Sequence, residues 1–192
     1  KYKACATSAM REAYNGTDIV ALIKKKTDIK IDIIDGRKEA AIISSSDLKQ
    51  FINSDKTYLY VDVGGGSTEF SIFDEGKIVT SKSFKNGTVR LLNNMVSEIV
   101  WVEIEKWIKN AVAPYEEITI IGSGGNINKL FKLSEKHQSK PLSYVYLNAQ
   151  FQKLSTMTYE QRITFCRNHR FILRSDDWNY TVSNHYSFIS ET

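Results

Sequence analysis

The stretch YLYVDVGGGSTEF, residues 58–70, decides how this chain is read. Its first half, with TYLYVDV, is a buried strand that ends in Asp62 and Val63. Gly64, Gly65 and Gly66 remove three side chains and allow positive φ, so backbone N–H groups can converge on one anion. Ser67 and Thr68 add hydroxyl donors, and EFSIFD continues as a second strand. EG is a turn signal, and KIVTSKSF alternates as a third strand. The composite D-x-G-G-G-S-T-E is not a Walker A loop, because no Gly-Lys-Ser/Thr follows. It is not a dinucleotide fingerprint either, because that motif leads into a helix. A loop between two strands must hold a phosphate with backbone amides and a metal. Asp62 and Glu69 flank it as hard carboxylates suited to Mg²⁺, and either could instead orient an attacking water.

Outward from this centre, Ser8–Tyr14 reads as a short helix closed by Asn15-Gly16, and Thr17 as the cap of a second helix. Residues 29–34 form a β-branched strand, and GRKEAAIISSSDLKQF a helix ending in Ser44–Ser46. From Thr88 to Val112, Leu92, Met95, Val96, Ile99, Ile104, Trp107, Ile108 and Val112 fall near helical spacing and predict one core-facing stripe. Phe51, Trp101, Trp107 and Tyr115 are expected in packing. EITIIGSGGNINKLF predicts strand, glycine loop and helix, and residues 148–155 and 158–168 are helical. Strands and helices alternating around a β-meander indicate an α/β domain.

The 192 residues are 42% hydrophobic and 25% charged, as in an ordinary globular protein. No apolar run approaches the roughly 20 residues needed to cross a membrane, and no signal-like leader opens the chain. Cys5 and Cys166 lack metal-ligand spacing and read as reduced thiols, which implies a cytoplasmic protein. His137, His169 and His185 show no ligand spacing either. Residues 1–125 are neutral, so the whole net charge of +4 falls in 126–192. That mild imbalance reads as solvated surface, and with no stacking motif it argues against a nucleic-acid partner.

ATSAMREAYNG (6–16), DGRKEA (35–40), VDVGGGSTEFSIF (61–73), SFKNGTVRL (83–91) and IGSGGNINKL (121–130) stand in an order that resembles the exopolyphosphatase/guanosine pentaphosphate phosphatase (Ppx/GppA) family. The resemblance implies a ribonuclease-H-like lobe of the actin/hexokinase/Hsp70 superfamily. It implies Mg²⁺-dependent release of terminal phosphate from polyphosphate or pppGpp, so the expected ligands are polyphosphate or guanosine penta/tetraphosphate, with a possible homodimer. It further implies Glu39 as the glutamate that activates water, with Asp62 and Glu69 organising metal and water. Gly64, Gly65, Gly66 and Ser67 become the phosphate loop, Arg11 a basic residue of the phosphate channel, and Gly122, Gly124 and Gly125 the superfamily's nucleotide loop. On that pattern residues 1–56 are a remnant of the first lobe, 57–168 the second lobe and 169–192 an irregular tail. An upstream strand with an Asp-x-Gly-Ser loop is expected before ATSAMR. Without it, this chain alone is expected to be weakly active or inactive. Two other functions compete: an ATP-dependent phosphotransferase of the same superfamily, and a non-catalytic module that binds polyphosphate or an alarmone.

Overall fold

Strand pairing explains the architecture of this computed structural model, which describes residues 2–45, 52–134 and 140–168. The smaller sheet pairs β1 (Ala4–Ala6) in parallel with β2 (Ile31–Ile33). Parallel neighbours need a crossover, supplied by α1 (Ser8–Glu12) and α2 (Gly16–Thr27). Asp28 closes α2 in the left-handed region at φ 57°, its N–H bonded to the Lys24 carbonyl. Helix α3 (Gly36–Ser45) follows β2 and packs on the larger sheet.

That larger sheet contains β3 (Tyr58–Val63), β4 (Thr68–Asp74), β5 (Lys77–Phe84) and β6 (Thr119–Ser123) in the order β5-β4-β3-β6. The meander is antiparallel, whereas β6 joins β3 in parallel. Helices α4 (Thr88–Leu92) and α5 (Glu98–Val112) make the crossing to β6. Helices α6 (Gly125–Leu133), α7 (Tyr144–Ser155) and α8 (Tyr159–Asn168) complete the described chain. The β4–β5 turn holds Glu75 and Gly76 at φ 48° and 74°, positive values that fit the twist of a tight hairpin.

Alternation sorts the two faces of this sheet. Leu59, Val61, Val63, Phe70, Ile72 and Phe84 meet Ile104 and Ile108 of α5 in the main core. Trp107 closes it with tilted and edge contacts to Phe70 and Phe84, at ring-centroid distances of 6.1 and 6.2 Å. The opposite face carries Tyr58, Tyr60 and Phe73, and beyond them the polar residues described below. A separate cluster of Ile127, Leu130 and Leu154 binds α6 to α7.

Several expectations are corrected. The stripe from 88 to 112 is two helices, because Asn94 turns left-handed at φ 54° and Ser97 starts α5 afresh. The phase of α5 is then set by Ile104 and Ile108, which leaves Ile99 exposed at 69%, and Met95, in the link between α4 and α5, is exposed at 62% rather than in the core. Helix α1 ends at Glu12 with Ala13 as its C-cap, and Asn15, not Thr17, precedes α2. Buried Gly16 explains this, since a Cβ there would strike the Met10 carbonyl. Strand β1 was not anticipated, three residues being too short for a pattern. Trp101, Trp107 and Tyr115 do pack against the main core. Phe51, Ser46 and the tail 169–192 lie outside the described residues. Among the described residues, no helix is long and apolar enough to cross a membrane.

Ile108→Ala, at a site 1% exposed, is expected to cost about 2–5 kcal/mol. Val102→Ala, at 62% exposure on the same helix, should stay within about 0.5 kcal/mol. Urea unfolding of the two variants checks which face of α5 is buried.

Candidate active site

One register places the polar residues. Asp62 on β3 stands opposite Glu69 on β4, Glu69 opposite Ser83 on β5, and Asp62 opposite Ser123 on β6. Ser83, Glu69, Asp62 and Ser123 therefore form one row across four strands on the face away from the main core. The Ser67 and Ser83 hydroxyls both donate to Glu69 Oε1, at 2.5 and 2.9 Å. Ser123 faces Asp62 across β6 and β3, and its hydroxyl lowers the proton affinity of the Asp62 carboxyl. Tyr60 lies one pleat below on the same face.

Glu39 comes to this row from α3. The helix can approach because Gly36 has no side chain: a Cβ there would sit 2.7 Å from the Ser83 Cβ. The Thr7 hydroxyl lowers the proton affinity of the Glu39 carboxyl, whose buried Oε2 has no hydrogen-bond partner among the described residues. Burial, then the charge of Glu69, push the Glu39 carboxyl up to about 7; Asp62 adds to this and Arg11 opposes it. Burial also raises the Asp62 and Glu69 carboxyls, against the lowering effect of the neighbouring serine hydroxyls. The Tyr60 phenol is pushed up to about 12, by burial first and then by the three carboxylates, against the lowering effect of the Ser123 hydroxyl, so it stays protonated at neutral pH.

Cations face these acids from α1. Arg11 donates through Nη1 to the Ile34 carbonyl at 2.7 Å, at the end of β2, and its charge lowers both Glu39 and Glu69. Arg11, Glu12, Gly36, Ser67, Ser83 and Lys85 line an open cavity of about 550 Å³. Glu12 accepts from Ser8, pairs with Lys85 at 3.2 Å and pairs more closely with Arg90. Burial pushes Glu12 upward, but hydrogen bonds from Lys85 and Ser8 and the two cationic charges outweigh it, so its carboxyl lies below the usual range.

The glycine loop differs from expectation in one respect. None of Gly64, Gly65 and Gly66 has positive φ. Glycine is required by close approach instead. A Cβ on Gly66 would meet the Ser8 side chain, with Ser8 Cβ 3.1 Å away. The neighbouring Gly87 lies against the Gly65 carbonyl and 2.5 Å from the Gly66 carbonyl carbon, measured from an added Cβ. The bend closes through Gly64 N–H to the Ser67 carbonyl at 3.0 Å. The N–H groups of Thr88 and Val89 hold the carbonyls of Gly64 and Gly65 at 3.0 and 2.9 Å. The amides of Gly65, Gly66 and Ser67 donate to no backbone carbonyl among the described residues.

Arg11 and Ser67 thus line the cavity, while Glu39, Asp62, Glu69 and Arg11 interact through their charges and Ser67 ties Glu69 to the end of the glycine bend. Gly124 is set apart from the cavity lining. It takes φ 114°, and a Cβ there would lie 2.5 Å from the Val63 carbonyl, so it packs the β6–α6 loop against the end of β3. Gly122 and Gly125 flank this loop, Gly122 against Ile127 and Gly125 in the open. Sequence reasoning missed Ser83, Ser123, Thr7, Glu12, Lys85 and Arg90. The alternation of KIVTSKSF put Ser83 on the right face, but only the register brings it to Glu69.

Comparison with known proteins shows the family. Residues 1–170 match the model of the Ppx/GppA phosphatase family, and the chain belongs to that family. Over 157 residues it is 29% identical to a bifunctional 3-dehydroquinate synthase/phosphatase of Fusobacterium nucleatum, covering 74% of this chain and 24% of that protein. Over 68 residues it is 34% identical to exopolyphosphatase 1 of Mycobacterium leprae, covering 35% of this chain and 20% of that one. Its fold is that of an exopolyphosphatase from Cytophaga hutchinsonii, with a TM-score of 0.73 at 23% identity, over 94% of this chain and 64% of that one. The Aquifex aeolicus Ppx/GppA structure gives 0.66 at 21% identity, over 98% and 65%. The chain therefore spans under two thirds of each relative. The ribonuclease-H-like reading of the fold holds, with its mixed sheet ordered β5-β4-β3-β6.

Two outcomes follow for the isolated chain without metal. Glu39 binds a proton more tightly folded than unfolded, so its contribution is fully present below pH 4.5 and is lost as pH rises through about 7. Glu39→Gln should therefore raise the melting temperature by roughly 2–4 °C at pH 8, corresponding to about 1 kcal/mol after discounting for solvent screening, and should change little at pH 4.5. Gly87→Ala should destabilise by about 1–3 kcal/mol through overpacking, whereas Gly65→Ala, whose Cβ meets only Val89 at 3.4 Å, stays within about 0.5 kcal/mol. Thermal and urea unfolding across pH check both.

Proposed function

We propose that this site hydrolyses a phosphoanhydride and releases the terminal phosphate of inorganic polyphosphate, with pppGpp as the alternative substrate. One observation carries the reading: Glu39, its carboxyl raised to about 7 by burial and by Glu69, is coupled by charge to Glu69, Asp62 and Arg11, and Glu69 is hydrogen-bonded to Ser67 at the end of a glycine bend whose Gly65, Gly66 and Ser67 amides donate to no backbone carbonyl among the described residues. A base that titrates near neutral pH suits proton abstraction. Phosphoryl transfer asks the protein chiefly for positioning and charge stabilisation.

In this reading the amides of Gly65, Gly66 and Ser67 hold the terminal phosphoryl oxygens. Arg11 and Lys85 offset their charge from the cavity wall. Glu39 takes a proton from the attacking water as its oxygen bonds to phosphorus. The bridging P–O bond breaks, and the shortened chain leaves with the electron pair. Glu69, fixed by Ser67 and Ser83 through Oε1, orients the water or a metal.

The residues also fit Mg²⁺. Three carboxylates stand together with raised proton affinity, and Glu39 Oε2 is buried without a partner among the described residues. No three acidic, histidine or cysteine side chains form a metal cage among the described residues, but Mg²⁺ needs only one or two carboxylates with substrate phosphates and waters. Asp62 and Glu69 would hold it, and it would neutralise phosphate charge when bound.

In a parent protein that carries the upstream phosphate loop as well, Glu39→Ala is expected to lower turnover by about 10²–10⁴-fold, with little effect on tripolyphosphate affinity, because it removes a base and not a donor. Phosphate release from polyphosphate and pppGpp with Mg²⁺, beside calorimetric binding of tripolyphosphate, measures both quantities. Absence of binding and of release on either substrate would sink the proposal.

A further inference from the structure

Arg90 is 24 residues from the glycine bend and has no place in the reaction above, yet its Nε donates to the Gly66 carbonyl at 2.7 Å. Its Nη2 is held by the partly buried Glu12 carboxylate of α1. A trans peptide is planar, with its C=O and the following N–H pointing in opposite directions, and no peptide bond among the described residues is cis. Whatever grips a carbonyl of this bend therefore aims the next amide the other way. Thr88 N–H grips the Gly64 carbonyl and aims Gly65 N–H; Val89 N–H grips the Gly65 carbonyl and aims Gly66 N–H. The third peptide's carbonyl takes no backbone N–H among the described residues and takes the Arg90 side chain instead.

We propose that Arg90 is a positioning residue: by holding the Gly66 carbonyl it points the Ser67 amide into the cavity, where it becomes the third donor to a phosphoryl group. Glu12 is the anchor that keeps the guanidinium in place. A lysine would preserve the ion pair with Glu12 but not the planar fork that serves Glu12 and Gly66 together. The inference rests on the phosphatase reading, since it assumes that the bend holds a phosphoryl group.

The test follows backbone amide shifts of the ¹⁵N-labelled chain during titration with tripolyphosphate. In the wild-type chain the amides of Gly65, Gly66 and Ser67 should all respond. In Arg90→Lys the Ser67 response should be lost while that of Gly65 persists, with affinity down about tenfold, as for one charge-assisted positioning bond. Glu12→Gln, which leaves the Arg90–Gly66 bond possible but removes its anchor, should give a smaller loss confined to the same amide. A Ser67 response in a folded Arg90→Lys or Glu12→Gln chain equal to wild type overturns the assignment. A wild-type chain in which none of the three amides responds overturns the phosphate reading itself, and this inference with it. A merely structural Arg90 would weaken all three responses together, which also counts against the proposal.

Discussion

The pairing of Asp62 with Glu69 across β3 and β4 is the constraint on which the rest of the molecule hangs. A one-residue slip of β4 in that register would turn Glu69 into the core beside Leu59 and Val61 and bring Phe70 and Ile72 out. The apolar face therefore fixes the position of the acids, because its burial admits one register only. The site inherits its precision from a core to which it contributes no side chain. The same register places Ser83 and Ser123 at the ends of the acidic row, where hydroxyl donors offset part of the cost of burying two like charges.

That offset is incomplete, and the incompleteness is chemically useful. Three carboxylates with elevated proton affinity stand near one another, and the largest cause in each case is burial. Stability alone would favour neutral groups here. Their retention makes a place that favours a cation, or a proton held near neutral pH. Arg11 supplies part of the counter-charge, tied by its Nη1 to the end of β2 and so kept at the edge of the cluster.

Much of the fold was legible because its strands alternate and its turns carry glycine. The meander from Tyr58 to Phe84 could be read directly, and GGGSTE marked its functional end. Glu39 was legible only through the family resemblance, since GRKEA by itself describes any helix start. The interruption at Asn93-Asn94 was hidden by apolar spacing that runs on through it. The glycine loop was assigned its role for one physical reason and holds its shape by another: close approach of Ser8 and Gly87, not positive φ. Contacts such as Glu12 with Arg90, 78 residues apart, carry no sequence signature at all.

Helix α1 shows how the two sheets are brought into registration at the site. Its adjacent residues Arg11 and Glu12 serve opposite needs. The guanidinium of Arg11 faces the acids of the larger sheet, while the carboxylate of Glu12 gathers Lys85 and Arg90 from the segment that follows β5. Ser8, on the same helix, donates to Glu12 and fills the space beside Gly66. Exposed ion pairs contribute little singly, but here both side chains of the Glu12–Arg90 pair are about four-fifths covered, and the pair shares its partners with the bend itself. A shift of α1 along the sheet would separate Arg11 from the carboxylates and Glu12 from the cations in the same movement. Both changes raise the electrostatic energy, so complementary charge, with the bare α-carbon of Gly66, defines the one position in which the site is assembled.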